Sequence, residues 1–413
     1  MTQAGADAEP TTGTDAERRW RMYPMAVIAA VIAAICIVVV TSDGVTSLSG
    51  GFGGDFPEFY AAGEIVADGH GGDLYDLDRQ IQAQSPYWEN DGEAILFAYP
   101  PIFAAPYVPL SMLDYRLAYL VHTLGMIAAL AAAIWVGRDL VPVLREPRHR
   151  LAAFAFALTF LPMFIGVTLG QNTALTLLAF VTIWWALEHR RDTLAGLVAG
   201  LLLIKPQYGL AVLGLLVVAR RWSAVAAGAV GALFVWIGSA AVSGPGWTSS
   251  WIDIVTSLSE IDGGSNLQNE ISWLGLAEVA LGAGSTAALI LAMAASLLTV
   301  AALLVALRRR PVIDGHAVAL VVPTVLLVAP HALYYDAGLL LLSLGVLLTT
   351  VSATKQPLIA ACWWAAGLGH VFAGMLGVQP VALLVLVTWW WAYRTHRRLA
   401  AAGVHQGEAA PLA

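Results

Sequence analysis

Charged residues are scarce in this chain. Only 12% of its 413 residues are Asp, Glu, Lys or Arg, against about 25% in soluble domains. Hydrophobic residues make up 59% of the chain, which excludes the two or three soluble domains that its length would otherwise allow. Long apolar runs recur between Pro24 and Tyr393, and a helix needs about 20 such residues to cross a bilayer. The sequence therefore predicts an all-α polytopic membrane protein.

Cysteine is almost absent, and so are several catalytic motifs. Cys36 and Cys362 both lie within apolar runs, which excludes a disulfide framework or a cysteine zinc site and favours inert thiols. There is no glycine-rich phosphate loop, His-Glu-x-x-His motif or Gly-x-Ser-x-Gly elbow. The basic loops are also too short for a nucleotide-binding domain. These absences argue against a nucleotide-linked substrate and favour one that the membrane delivers.

Basic residues are distributed unevenly among the loops. About twelve crossings are predicted, and 18 of the 21 Lys and Arg residues fall on the side of the two termini. The positive-inside rule then makes both termini cytoplasmic, with a disordered tail at 1–22, a membrane domain at 23–396 and a second tail at 397–413. The first apolar run is interpreted as a retained span and not a cleaved signal peptide. The predicted crossings are 24–42, 115–137, 151–168, 172–187, 193–204, 207–219, 223–242, 284–307, 316–329, 336–350, 357–375 and 380–394.

Two long polar loops fall on the outer side, at 43–113 and 243–282. Between Asp43 and Glu93 the first loop has eleven acids and one base. Its last part, up to Leu113, carries four prolines, which argue against a spanning helix and favour a re-entrant or interfacial segment.

Asp55 precedes the clearest helical pattern of the first outer loop, Phe56 to Ala67. It is predicted to cap this helix with Glu58 as the capping-box partner, and the apolar side chains are predicted to hold the helix on the membrane surface. Two glycines before Asp55 would let a ligand approach the backbone. The alternatives are that Asp55 is a general base towards a sugar hydroxyl or that it only caps the helix.

Cations near the outer surface are the candidates for binding phosphate. Lys205 and Gln207 interrupt an apolar run, and an ionisable group at such a break indicates function by default. The alternative is a lysine that snorkels to headgroups. His331 follows Pro330 at the outer end of a span and is a candidate phosphate donor or proton partner. Arg116 is either a second phosphate contact or an interfacial anchor.

Amide side chains form a second group of candidates. Gln171 and Asn172 follow a glycine in a tight turn between two spans, where they either contact substrate or only make the turn polar. The second outer loop carries polar side chains that could bind a hydroxyl-rich ligand or only solvate the loop. These are Asn266, Gln268, Asn269 and Glu270.

Several short motifs follow one another in an order that resembles a known family. They are Gly54-Asp55-Phe56, Phe59-Tyr60-Ala61-Ala62-Gly63, Leu74-Tyr75-Asp76, Phe97-Ala98-Tyr99-Pro100-Pro101, Gly170-Gln171-Asn172, Lys205-Pro206-Gln207 and Pro330-His331. With these motifs the chain, from about 24 to 395, resembles the family 87 glycosyltransferases of the GT-C superfamily. That family includes polyprenyl-phosphate-mannose-dependent mannosyltransferases of actinobacterial envelopes. The ordered set is more specific to the family than any single motif.

The resemblance implies a GT-C fold with helices in its outer loops. It also implies transfer of a sugar, mannose as the first guess, from a polyprenyl phosphate to a hydroxyl of a glycolipid or glycan. The reaction would take place at the outer face of the cell membrane, without a cofactor and without nucleic acid. Metal is not generally required for a donor with one phosphate, and Asp55-Phe56 lacks the doubled acid of metal-dependent GT-C enzymes.

The resemblance suggests the role of Asp55, and the polar residues described above suggest the other roles. Asp55 is the expected catalytic base, and Lys205 and His331 would meet the charge of the departing phosphate. One base and no required nucleophile imply single displacement with inversion. The other expected substrate-binding residues are Gln207, Gln171, Asn172, Glu58 and Tyr99.

Two other classes of function stay open. A transporter or flippase of a lipid-linked solute fits the number of spans, although charges are rare in the middle of the spans. A structural or sensor protein, in which the acidic loop binds a partner or cations, is the third class.

Overall fold

The fold is described from a computed structural model of the chain. The structure describes residues 12–41, 53–87, 94–261, 267–310, 312–376 and 379–408. Asn266 and the distal ends of both predicted tails lie outside these ranges.

The regular secondary structure of the described residues is helical, without a β-strand, which confirms the all-α prediction. Their α-helices are α1 (Thr12–Thr41), α2 (Phe56–Ala67), α3 (Leu77–Gln84), α4 (Val108–Ser111), α5 (Tyr115–Gly137), α6 (Pro147–Thr159), α7 (Leu161–Thr168), α8 (Thr173–Glu188), α9 (Asp192–Leu201), α10 (Pro206–Val218), α11 (Trp222–Ser243), α12 (Trp247–Ile261), α13 (Trp273–Leu281), α14 (Thr286–Arg309), α15 (Gly315–Val328), α16 (Leu340–Leu348), α17 (Gln356–Gly369), α18 (Ala373–Leu376) and α19 (Pro380–Glu408). Short 3-10 helices lie at Gly71–Asp73, Pro101–Tyr107, Pro142–Arg145, Leu202–Ile204, Leu267–Asn269, Tyr334–Leu339 and His370–Phe372.

Three of the described helices, α5, α11 and α14, are long and apolar enough to cross a bilayer. The pair α6 and α7 makes a fourth candidate if it is counted as one broken span. Six further apolar helical segments, among them α8 and α15, are shorter. The described helices therefore fit a multi-pass membrane protein, while the number of twelve crossings stays a prediction.

The helices depart from the predicted boundaries at three places. The predicted span 151–168 is two helices that meet at 71° around Phe160, because Pro162 cannot donate a backbone hydrogen bond within a continuous helix. The first helix begins at Thr12, inside the predicted tail, where Ala16 and Glu17 are good helix formers. The last helix continues to Glu408 through the predicted second tail.

Two helices in the middle of the chain, α9 and α11, pack unusually closely. A Cβ atom on Gly196 would collide with the backbone oxygen of Ala224, and one on Gly200 with that of Gly228. Small residues of this kind let helix backbones approach in lipid, where no hydrophobic force drives helices together. The contact fixes α9 just before the chain breaks at Lys205.

The proline-rich end of the first outer loop does not form a long helix. Its residues form the 3-10 helix Pro101–Tyr107 and the short helix α4, as the prolines indicated. The side chains of Phe103 and Tyr107 point into the main core, where they meet α2. This packing brings the first outer loop against the body of the protein.

Candidate active site

The α2 helix has the bounds that the sequence predicted, but its position was predicted wrongly. Phe56 and Phe59 are fully buried, and Tyr60 is 4% exposed. The ring of Phe59 stacks on Tyr107 with centroids 5.2 Å apart, and the Tyr60 hydroxyl donates to the backbone oxygen of Leu113 at 2.8 Å. The aromatic side chains therefore hold α2 inside the protein and do not lay it on the membrane surface.

Two glycines set the backbone at Asp55. Gly170 has φ +80°, and a Cβ atom on it would come within 2.7 Å of the Phe56 nitrogen. A Cβ atom on Gly54 would lie 2.6 Å from Cβ of Leu169. The glycine before Asp55 thus makes room for the turn between α7 and α8.

Asp55 does not form the predicted capping box. It precedes α2, but its side chain makes no capping hydrogen bond. Its backbone N–H donates to the oxygen of Leu169 at 2.8 Å instead of to Glu58. The neighbouring turn thus positions the Asp55 backbone, and its carboxylate interacts with a residue outside the helix.

The Asp55 carboxylate is the first group of a hydrogen-bonded series. Nε2 of Gln171 donates to Oδ2 of Asp55 at 2.7 Å, and the Tyr99 hydroxyl donates to Oε1 of Gln171 at 3.3 Å. Gln171 is 3% exposed. Its amide thus donates to the carboxylate and accepts from the phenol, so these three predicted site residues lie together.

Tyr99 is held in place from both ends. Its backbone oxygen accepts a 2.6 Å hydrogen bond from the Tyr75 hydroxyl. Burial raises the pKa of Tyr99, and the carboxylates of Glu58 and Asp336 raise it further. The phenol therefore stays protonated and acts as a donor. Glu58 itself is 4% exposed, so it contributes a buried carboxylate beside this tyrosine.

Lys205 is buried, contrary to the expectation of an outer-surface cation. Its Nζ atom lies 3.2 Å from Oδ1 of Asp336, and each side chain is 7% exposed. The ammonium also lies 6.0 Å from the ring centroid of Tyr99 and 5.7 Å from that of Tyr208. Through Tyr99 the lysine is part of the same cluster as Asp55, which supports a functional position and argues against a snorkelling side chain.

Asp336 was not predicted as a site residue. Its Oδ2 atom accepts from the backbone N–H of Leu333 at 3.3 Å while Oδ1 pairs with Lys205. The available signal was an acid at the start of an apolar run, since such a group is rarely left without a basic partner. The sequence could not indicate which base, because Lys205 lies 131 positions away.

His331 is part of a separate pair. Its Nδ1 atom lies 3.1 Å from Oε1 of Glu270, in the second outer loop. The histidine side chain is 43% exposed and the glutamate side chain 14%. The two predicted phosphate ligands, His331 and Lys205, are thus paired with different carboxylates, those of Glu270 and Asp336.

The remaining candidates have less decisive surroundings. Asn172 is 1% exposed; its Oδ1 accepts from Thr176, and its Nδ2 has no hydrogen-bond partner among the described residues. Gln207 is half-buried in the first turn of α10. In the second outer loop, Oδ1 of Asn269 lies 3.4 Å from Nε2 of His370. Among the described residues, no group of three or more His, Cys, Asp or Glu is arranged to hold a metal ion.

Comparison with known proteins identifies the family. The model of glycosyltransferase family 87 matches residues 97–330, more than half of the chain. The chain belongs to glycosyltransferase family 87. As the sequence motifs indicated, it is therefore a family 87 glycosyltransferase, and its apolar helices fit a membrane enzyme.

A curated relative is similar to part of this family 87 chain. It is the polyprenol-phosphate-mannose-dependent alpha-(1-2)-phosphatidylinositol pentamannoside mannosyltransferase of Mycolicibacterium smegmatis, 27% identical over 217 residues. The match covers 51% of this chain and 47% of the relative, so the chain spans about half the length of that protein. No solved structure matches the chain.

Proposed function

We propose that this family 87 protein transfers a sugar, mannose as the first choice, from a polyprenyl-phosphate donor to a hydroxyl of a glycolipid or glycan. The similar mycobacterial enzyme is named for a polyprenol-phosphate-mannose donor and a phosphatidylinositol mannoside acceptor, and the absence of nucleotide-binding motifs favours such a lipid-linked donor. We place the reaction at the outer face of the cell membrane, in a GT-C fold of about twelve spans with cytoplasmic termini. The asymmetry of Lys and Arg among the loops supports that orientation.

The single observation that carries this proposal is the 2.7 Å hydrogen bond from Gln171 to the Asp55 carboxylate. A general base must be held within reach of the proton that it abstracts. Asp55 is partly exposed while its backbone and one carboxylate oxygen are fixed by the turn between α7 and α8. A hydroxyl that approaches Asp55 meets a carboxylate with a defined orientation.

The reaction is a single displacement at the anomeric carbon of the donor. Asp55 takes the proton of the acceptor hydroxyl, and that oxygen forms the new bond to the anomeric carbon. The bond from this carbon to the phosphate oxygen breaks, and its electron pair stays with the phosphate. A β-linked mannosyl donor would give an α-mannoside, because attack from the opposite side inverts the centre.

The departing phosphate needs cations near it, since charge that develops in the transition state is stabilised by positioned donors. Lys205 has three N–H donors, so it can keep its bond to Asp336 and still donate to a phosphate oxygen. His331 supplies a second donor from the 330–333 turn. Gln207, Asn172, Tyr99 and Glu58 are proposed to line the same substrate site.

Transfer by the purified protein in lipid nanodiscs tests the proposal directly. The donor is radiolabelled polyprenyl-phosphate mannose, and the acceptor is a phosphatidylinositol mannoside. We expect Asp55→Asn to lower the transfer rate by about 100-fold or more, as removal of a general base does, while donor binding is retained. Asp78→Asn, which changes an exposed acid of the same outer loop, is the matched control and should transfer at the wild-type rate.

Two results would contradict the proposal. Turnover by Asp55→Asn at the wild-type rate would exclude Asp55 as the base. Movement of label across the bilayer without a new glycosidic bond would indicate a transporter or flippase.

A further inference from the structure

The second outer loop is attached to the turn that carries His331. Glu270 and Leu333 form an isolated antiparallel β-bridge, and the backbone N–H of Ile271 donates to the oxygen of Ala332 at 2.9 Å. These two backbone contacts fix Glu270 beside the histidine. The side chains of Glu270 and His331 therefore pair between two segments whose backbones are hydrogen-bonded to each other.

The Glu270 side chain has one strong partner and little access to water. Oε1 lies 3.1 Å from Nδ1 of His331, and the glutamate side chain is 14% exposed. Oε2 is buried and has no hydrogen-bond partner among the described residues. A buried carboxylate is costly unless it is paired, and His331 is the partner that the structure provides.

The space for this carboxylate depends on Gly275. A Cβ atom on Gly275 would lie 2.3 Å from Cβ of Glu270 and 2.9 Å from Oε2. The first turn of α13 is anchored by Ser272, whose hydroxyl accepts from the Gly275 N–H. Any side chain at position 275 would therefore push the Glu270 side chain away from its present position. The glutamate would keep its negative charge.

We propose that Glu270 is a positioning residue, which orients His331 towards the phosphate of the lipid-linked donor. This inference rests on the proposed function. A carboxylate bound to Nδ1 selects the tautomer and the orientation of an imidazole ring. The arrangement assigns Nε2, on the opposite side of the ring, to the phosphate.

The two residues should therefore act as a unit in donor binding. Glu270→Gln keeps the size of the side chain but removes its charge, and His331→Gln removes the ring. We expect each variant to raise the donor KM about 10-fold, the effect of losing one hydrogen bond to a charged group. The acceptor KM should not change. The double variant should be no worse than His331→Gln, because Glu270 acts only through the histidine.

Steady-state kinetics in nanodiscs, with donor and acceptor varied separately, measures these effects. Competition by farnesyl phosphate measures phosphate affinity without turnover and should weaken by the same factor. Glu278→Gln is the matched control, since Glu278 lies in the same loop and accepts from the backbone of Gly284. The melting temperature of each variant separates loss of folding from loss of donor binding.

A second variant keeps the test decisive if Glu270→Gln unfolds. Gly275→Ala displaces the carboxylate without removing it and should also raise the donor KM selectively. An unchanged donor KM in the folded variants, or additive effects in the double variant, would overturn the assignment. Failure of the proposed function would be distinguishable from failure of this assignment. If the wild-type protein transferred no sugar, farnesyl phosphate affinity could still be compared between the wild type and Glu270→Gln.

Discussion

Gln171 and Asp55 lie 116 positions apart in the chain and are joined by a hydrogen bond of 2.7 Å. The amide of Gln171 also accepts a hydrogen bond from the Tyr99 hydroxyl. Gln171 therefore orients the Asp55 carboxylate and is itself oriented by Tyr99. The turn between α7 and α8 thus holds Asp55 of the first outer loop by two contacts, one from its backbone and one from the amide of Gln171.

Replacement of Gln171 by Met should impair chemistry more than donor binding. Methionine has a similar length but cannot donate to Asp55, so the carboxylate loses its fixed orientation. We expect kcat to fall about 100-fold, since a misplacement of about 1 Å has that effect. The measurement is kcat with saturating donor and acceptor. Gln82→Met, in which an exposed amide of α3 is changed, serves as the control, and an unchanged kcat in Gln171→Met would refute the role.

The buried pair of Lys205 and Asp336 makes a prediction about stability. Asp336→Asn leaves the lysine charge buried without a counter-charge, which should destabilise the protein by about 3–5 kcal/mol. The double variant with Lys205→Met should recover most of that loss because no buried charge remains. Thermal unfolding in detergent measures both changes.

The activity of these variants separates folding from phosphate binding. If Lys205 binds the donor phosphate, the double variant is stable but transfers slowly. A double variant with the transfer rate of the wild type would show that the pair is structural only.

Gly170→Ala should disturb Asp55 without touching its side chain. The residue has φ +80°, which non-glycine residues rarely adopt, and the new methyl group would meet the Phe56 backbone. We expect a loss of about 1–3 kcal/mol in stability, the cost of such backbone strain, and a lower transfer rate. Gly72→Ala is the control, because no atom lies within 4 Å of the Cβ position there. Equal stability of the two variants would argue against the close packing.

Asp314 gives a prediction for the pH dependence of stability. Burial alone would raise its pKa, but hydrogen bonds from His316, Arg310 and the Ala317 backbone outweigh burial and lower the pKa. A folded pKa below the unfolded value of about 3.9 means that the carboxylate stabilises the protein above that pH and loses its effect as the pH falls further. The stability advantage over Asp314→Asn should therefore be present at pH 7 and shrink below about pH 4. Melting temperatures of both proteins across that range test this, and a constant difference would contradict it.

Local features of the chain were predictable from sequence, and distant partners were not. The α2 helix has the predicted bounds because its start and its stop at Gly69 are encoded by neighbouring residues. The break at Lys205 follows from the next residue, a proline. The partner of Lys205 could not be predicted, because that pairing depends on how helices pack. The burial of α2 was also missed, since an aromatic stripe looks the same against lipid as against protein.

The close contact of α9 and α11 has a consequence for how substitutions act at a distance. A methyl group at Gly196 or Gly200 would collide with the backbone of α11 and push the two helices apart. Only the short 3-10 helix Leu202–Ile204 separates α9 from the break at Lys205. A displacement of α9 would therefore shift the Lys205 ammonium relative to Tyr99 and Asp336. An apolar substitution inside the membrane domain would then change the position of the charge that we propose to meet the donor phosphate, without altering any polar residue.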